Sequence, residues 1–408
     1  MASVQTASLS RSTARRHTLP ARLAMTGAAI AFASMYLAAG ALTPLLVAYK
    51  QRWDFPPELL NLAFAVYAIG FLLAALTLGS LSDHFGRRPV LIGALVVQLA
   101  SSILFLVATD VSWVIAGRIV QGVAGGAATS AFTAVLVEFA PEGKKRIGTI
   151  LGSISLTGGL ALGSLVAGFA IQITQEANTI IFVALIVLTI VGGAAVLASA
   201  ETVTPRPGWR RSVIPQVTVP AAARKEFYAA APAVAAVWML AGLSGGLAPN
   251  MVRSVFHLNS PFLGGFAGFV APAIAAIVGL AFAKVPARRA MVIGIYASIV
   301  GAIAIIGGVF GGNLAIMVGG QAIAGVGFGA SFTAALQLLI PLVKAHHRAG
   351  LVASIYVVSY LAFGLPIVIE GQLVKPFGEI PAVVCYTALT ILFALVSLVA
   401  QARLARRS

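Results

Sequence analysis

The chain has a single cysteine, Cys385, which excludes an internal disulfide and any cysteine-based metal site. Its five histidines are scattered apart from the pair His346-His347, and no zinc spacing occurs. No metal and no cofactor are therefore expected. Acid is scarce, with 11 Asp and Glu against 27 Lys and Arg, a formal net charge of +16. Charge of either sign makes up only 9% of the 408 residues. A soluble domain with so few surface charges would aggregate. The basic residues form no patch interleaved with aromatics, so nucleic acid is not an expected partner. No P-loop-type phosphate cradle is present, which argues against ATP drive and against an enzyme of that class.

What the chain has in excess is apolar surface: 60% hydrophobic residues and a mean hydropathy of +1.00. About 20 consecutive apolar residues span a bilayer as a helix. Twelve such runs are legible: Leu23–Tyr49, Leu59–Leu78, Val90–Ala108, Trp113–Phe139, Ile147–Ile173, Ile180–Ala200, Phe227–Leu247, Leu263–Ala283, Ala290–Phe310, Leu314–Val343, Ala349–Gly371 and Pro381–Ala400. The first run is too long for the apolar core of a secretory signal, so it reads as a retained helix. The longest polar interruption after the N-terminus carries four prolines, Pro205, Pro207, Pro215 and Pro220, and divides the runs six and six. The expected organisation is a tail over 1–22, a six-helix bundle over 23–200, a central loop over 201–226, a second bundle over 227–401 and a tail over 402–408.

Basic residues in connectors mark the cytoplasmic side of a membrane protein. Here 22 of the 27 fall on one side of the twelve-span arrangement. Only Lys50, Arg52, Arg253 and Lys375 fall on the other, and Arg118 lies within a span. The bias alternates with every helix. It places both termini in the cytoplasm and the chain in the inner (plasma) membrane as a multi-pass protein.

A repeat is also visible. Gly117-Arg118…Gly122…Gly126-Ala127 returns as Gly320-Gln321…Gly325…Gly329-Ala330, and Gly79…Asp83…Arg87-Arg88 returns as Gly279…Ala283…Ala287-Arg288, with the acid gone. Repeats across two six-helix halves are a transporter feature, with the substrate site at their interface.

The connector after the second run reads Gly79-Ser-Leu-Ser-Asp83-His-Phe-Gly86-Arg87-Arg88-Pro89. By charge alone it is a solvated basic loop. Its order, Gly-x-Leu-x-Asp-x-x-Gly-Arg-Arg, resembles the loop motif of the major facilitator superfamily, and every fixed position is matched. The resemblance implies that fold: an all-α membrane protein of twelve transmembrane helices in two pseudo-symmetric six-helix bundles. It also implies that Asp83, Arg87 and the helix-end Glu138 form a charge cluster that latches the inner gate, framed by Gly79, Gly86 and Arg88.

Arg118 sits inside the fourth run, with Gln121 and Gly122 on the same helix face. An intramembrane charge points to function by default. The bland alternative is a side chain that snorkels to the outer interface. Gly-Arg-Ile-Val-Gln-Gly resembles a second motif of the same superfamily, in which this Arg is linked to proton or substrate handling. Its partner is expected to be Glu370 or an anionic group of the substrate. Glu370 itself reads equally well as an acid inside the second half or as a residue at the outer interface. Gly122 and Gly126, and Gly159 and Gly163 in the fifth run, have the four-residue small spacing that lets membrane helices approach closely. The fifth run is similar to the antiporter motif of drug exporters, but Ser164 stands where that motif has proline. Pro366 in the eleventh run is a candidate hinge. Tyr36, Trp238, Gln321, Tyr356 and Tyr360 are polar-aromatic candidates for a cavity lining.

The expected function is secondary transport of a small solute by alternating access, as proton-coupled efflux of a drug-like or metabolic compound by a monomer in the lipid bilayer. Uptake of a small organic solute is the alternative within the class. A non-transporting receptor or scaffold is the alternative outside it.

Overall fold

The computed structural model describes residues 18–344 and 347–406. Arg11, Arg15, Arg16 and Arg407, which entered the charge count above, and His346 of the histidine pair lie outside the described residues. Among the described residues twelve helices are long and apolar enough to cross a membrane. They are α1 (Ala21–Trp53), α2 (Pro57–Thr77), α3 (Arg87–Leu106), α4 (Val111–Phe139), α5 (Lys145–Ile173), α6 (Ala177–Ala198), α7 (Ala221–Ser254), α8 (Pro261–Lys284), α9 (Ala287–Phe310), α10 (Leu314–Leu342), α11 (Arg348–Phe377) and α12 (Glu379–Ala405). All twelve expected spans are present. Several run past their apolar core, because capping and backbone hydrogen bonds, not hydropathy, set a helix end. So α7 starts six residues inside the expected central loop, and α12 continues into the expected tail.

Local chemistry explains the starts. Proline opens α2 and α8, where its missing N–H costs nothing. Asp110 caps α4 by accepting from the Ser112 amide at 2.7 Å, and Asn313 caps α10 through the Ile316 amide. Two five-residue π-turns interrupt the regular winding, Ile154–Gly158 in α5 and Leu243–Leu247 in α7.

Backbone-to-backbone packing holds each half together. A β-carbon on Gly122 would press on the Tyr67 carbonyl, and one on Gly126 would stand 2.8 Å from the Ala75 nitrogen, so α4 lies directly on α2. In the second half a β-carbon on Gly325 would meet the Ala271 carbonyl at 2.6 Å, and one on Gly329 would stand 2.8 Å from the Gly279 nitrogen. The α4/α2 and α10/α8 pairs are therefore copies, and this part of the internal repeat is real. The loop part is displaced. Gly279 occupies the place of Ala75, one helical turn before Gly79. The connector between α8 and α9 is shorter than that between α2 and α3, so the second half has no room for a counterpart of Asp83.

The halves meet mainly at one end of the bundle, opposite the basic connectors. There α5 crosses α8, with Gly168 and Gly265 backbone to backbone and Ser164 Oγ donating to the Gly265 carbonyl at 2.9 Å. Also there, α2 lies against α11, and Lys375 pairs with Glu58 at 2.6 Å. This end is called the far end below, and the other the basic end.

Candidate functional site

Between the halves lies a cavity of about 280 Å³. Its walls come from α1, α2, α4, α5, α7, α8, α10 and α11, so neither half builds it alone. Ser153, Thr157, Gly279 and Thr333, near the basic ends of their helices, line its lower part. Its roof is aromatic and crosses the interface. Phe64 packs on Phe363 at 5.0 Å between ring centroids, and Phe71 stacks on Tyr360 at 4.4 Å. Trp238 of α7 stands against Tyr360, Phe328 and Phe363 at 4.9, 5.4 and 5.9 Å. Of the residues proposed from sequence, Tyr36, Trp238, Tyr356, Tyr360 and Arg118 all line this space.

Three proposed residues do not. Gln321 is fully buried one turn beyond Ala324, where the cavity wall on α10 ends, and its amide has no hydrogen-bond partner among the described residues. Gln121 is buried behind Arg118 and accepts from its Nη1 at 2.8 Å. Glu370 is neither in the cavity nor at an outer interface. It is 3% exposed, clamped between α11 and α2, and accepts from Asn61 Nδ2 at 3.0 Å.

Arg118 does not snorkel. It is 2% exposed, and its Nε donates to the Ala63 carbonyl of α2 at 3.1 Å. Its guanidinium lies over the Tyr67 ring at 4.3 Å, with the Phe64 ring at 5.6 Å. Among the described residues no acid pairs with it; the Arg118–Glu370 pair is not formed in this structure.

At the basic end the loop cluster is assembled. Arg87 Nη1 donates to Asp83 Oδ1 and to Ser82 Oγ, each at 2.6 Å, and Nη2 reaches Glu138 Oε1 at 3.3 Å. The Gly79 carbonyl accepts from Ser130 Oγ of α4 at 2.7 Å, fixing the loop to the first half. Gly86 has φ +98°, a backbone conformation that favours glycine, and a β-carbon there would stand 2.6 Å from Glu201 Oε2 and push that carboxylate aside. Arg88 joins through its amide.

Sequence reasoning missed the residue that seats this loop. The Glu201 carboxylate accepts from the amides of Arg87 and Arg88 at 2.8 and 3.0 Å, capping α3 where helix N–H groups are unpaired. Thr202 Oγ1 donates to Glu138 Oε2 at 2.5 Å. The central segment then continues over the loop. Ser80 Oγ donates to the Ser212 carbonyl at 3.0 Å, and the Thr218 amide donates to the Gly350 carbonyl of α11 at 3.3 Å. In the second half, Arg288 is held between Glu226 and Gln401, each at 3.0 Å. Asn61, Tyr67 and the cross-half phenylalanines were also missed. Asn61 gave the one usable signal, a lone amide in an apolar run.

The helix-packing candidates divide by partner. Gly122 and Gly126 seat α4 on α2, while Gly159 and Gly163 seat α5 on α1. Pro366 lies within α11, which is one continuous helix.

The family model for the Major Facilitator Superfamily matches residues 28–367. Curated relatives match over short stretches. The multidrug resistance protein MdtL of Citrobacter koseri is 40% identical over 67 residues, 16% of this chain and 17% of that protein. The 4-hydroxybenzoate transporter PcaK of Pseudomonas putida is 33% identical over 100 residues, 24% of this chain and 22% of its own. Each match thus spans less than a quarter of the relative's length. The fold is shared over almost the whole chain with a POT family transporter crystallised with 5-aminolevulinic acid, at a TM-score of 0.75 and 12% identity, covering 94% of this chain and 96% of the other. With twelve spans in two repeated bundles, its loop cluster assembled and a cavity between the halves, the chain belongs to the major facilitator superfamily, a family of multi-pass membrane transporters and not of enzymes.

Proposed function

We propose that the chain moves a small, largely apolar organic solute across a membrane by alternating access, one six-helix half rocking on the other. The observation that carries this reading is the cavity. It sits at the interface of the two halves, is roofed at the far end by contacts between them and extends toward the basic end. With the basic end in the cytoplasm, the cavity faces the cytoplasm, and the reading takes the chain as a monomer in the inner membrane. Efflux in exchange for protons is the preferred direction. It is supported by the resemblance of the first-half motifs to drug exporters and by the likeness to MdtL. Uptake is supported by the likeness to a 4-hydroxybenzoate transporter. Glu370 is the preferred proton carrier. It is the acid most deeply buried among the spans, and its hydrogen-bond partner Asn61 is neutral.

The test is flux in proteoliposomes containing the purified full chain, with a panel of aromatic and alicyclic solutes and an imposed pH gradient. Movement of at least one solute that follows the gradient in wild type but not in Glu370→Gln is the expected result. No protein-dependent flux of any panel member would leave the chain a receptor or scaffold on a transporter fold. Gradient-driven movement that survives in Glu370→Gln would remove that residue's role only.

A further inference from the structure

Resting on the transport reading, the cavity also carries information about its cargo. We infer that the solute is an organic anion whose acidic group pairs with Arg118 and whose flat apolar body lies under the aromatic roof.

The argument begins with formal charge. Of the described residues lining the cavity, Arg118 alone is charged, and none is a carboxylate. A guanidinium has five N–H donors and cannot shed its proton in a protein. Only two partners are present, both neutral: the Ala63 carbonyl takes Nε, and the Gln121 amide oxygen takes Nη1. Nη2 makes no hydrogen bond among the described residues. The two partners and the Tyr67 face hold the group rigidly, so it is positioned in advance to receive a ligand. Yet they leave its charge uncompensated inside a low-dielectric wall. Intramembrane charges pair with one another or with backbone carbonyls, and among the described residues no acid answers this guanidinium. Glu370, the acid proposed from sequence as its partner, is committed to Asn61 of α2. The free Nη2 edge and the uncompensated charge assign the negative partner to the cargo. A carboxylate matches the free edge of a guanidinium fork.

Other linings narrow the class further. Tyr36, Tyr356 and Tyr360 supply hydroxyls, while Trp238, Phe71 and Phe363 supply flat apolar walls. Aromatic walls alone also suit organic cations. Here the uncompensated Arg118 repels them, and no carboxylate offsets that repulsion. The volume of about 280 Å³ falls just below the usual range of ligand sites, roughly 300–1,000 Å³. This favours one- or two-ring acids over larger compounds.

The experiment is a charge series on matched bodies. Benzoate, 2-naphthoate and 4-phenylbutyrate, each with its primary amide and its primary amine, are added to the purified full chain in detergent, and thermal stabilisation and affinity are read. The expected result is stabilisation by at least one carboxylate and none by its amide or amine counterpart. In Arg118→Gln that carboxylate should lose about thirtyfold or more in affinity, the usual effect of removing one partner of a buried charge pair. Arg118→Lys, which keeps the charge but not the fork, should fall between the two. Should Arg118→Gln fail to fold, the wild-type charge series decides unaided. Equal or better binding of the amides or amines overturns the inference, as does a complete lack of carboxylate binding. Carboxylate binding without flux would sink the transport reading and leave this one standing, and flux confined to neutral or cationic solutes would do the reverse.

Discussion

Gly163 and Gly168 lie on α5, little more than one turn apart, and a single methyl group at each should do opposite things. A β-carbon on Gly168 would stand 2.8 Å from the Gly265 Cα of the other half, and 2.7 Å from the Pro261 carbonyl. Carbon atoms rest at about 3.5 Å, so Gly168→Ala has to push the two halves apart by roughly 0.7 Å at the far end. Both neighbours are backbone and cannot swing aside. Overpacking of this kind costs about 1–3 kcal/mol. That cost is paid only while the far end is closed, so the closed state loses about five- to 150-fold in population against the open one. A β-carbon on Gly163 would press instead on the Leu37 carbonyl and stand 2.9 Å from the Ala41 nitrogen, both in α1 of its own half. Gly163→Ala therefore strains every state alike. It should lower thermal stability and leave the balance of states unchanged. The assay needs a thiol-free background, made by Cys385→Ser because Cys385 is exposed. A reporter cysteine at Thr43, which lines the cavity, is then labelled in intact cells with an impermeant thiol reagent. Labelling should rise in Gly168→Ala and not in Gly163→Ala. Equal labelling in both would refute the assignment of the α5/α8 crossing as the far-end seal.

Three further outcomes are expected. Asp83→Asn should cost only about 0.2–1 kcal/mol of stability, because the Asp83 side chain is 50% exposed, while slowing turnover sharply; undiminished flux would reduce the loop to a solvated connector. Glu58→Lys should open the far end by placing two cations together, and the charge swap Glu58→Lys with Lys375→Glu should restore wild-type labelling; a double variant no better than the single would show that the ion pair is not a link between the halves. A reporter fused inside 201–220 should read cytoplasm and one near Asn259 the opposite side, and a periplasmic signal from the central segment would overturn the assigned orientation.

The twelve spans were legible because a membrane helix must be apolar along its length, and hydropathy records that directly. The loop cluster was legible only through resemblance, because Asp83, Gly86 and Arg87 stand at the spacing of the superfamily's loop motif. Depth along a helix was not. Gln321 and Arg118 hold matching places in the two halves, yet the cavity reaches one and stops a turn short of the other. In water an apolar stripe marks the buried face, but in lipid both faces are apolar and the stripe vanishes. That is why Tyr67, Phe71 and Phe363 gave no warning that they form a roof. Glu201 was hidden for another reason. Its partners are backbone amides, which every residue carries, so no side-chain pattern announces the cap.

The ties of the central segment set a mechanical stop. Ser212 is bonded to the loop of the first half, and Thr218 to the start of α11 in the second. The six residue steps between them cannot stretch beyond roughly 20–22 Å. While both bonds hold, the mouth at the basic end has that fixed maximum gauge. The linker therefore acts as a tether that caps how far the two halves can swing apart at the basic end until one of these bonds breaks.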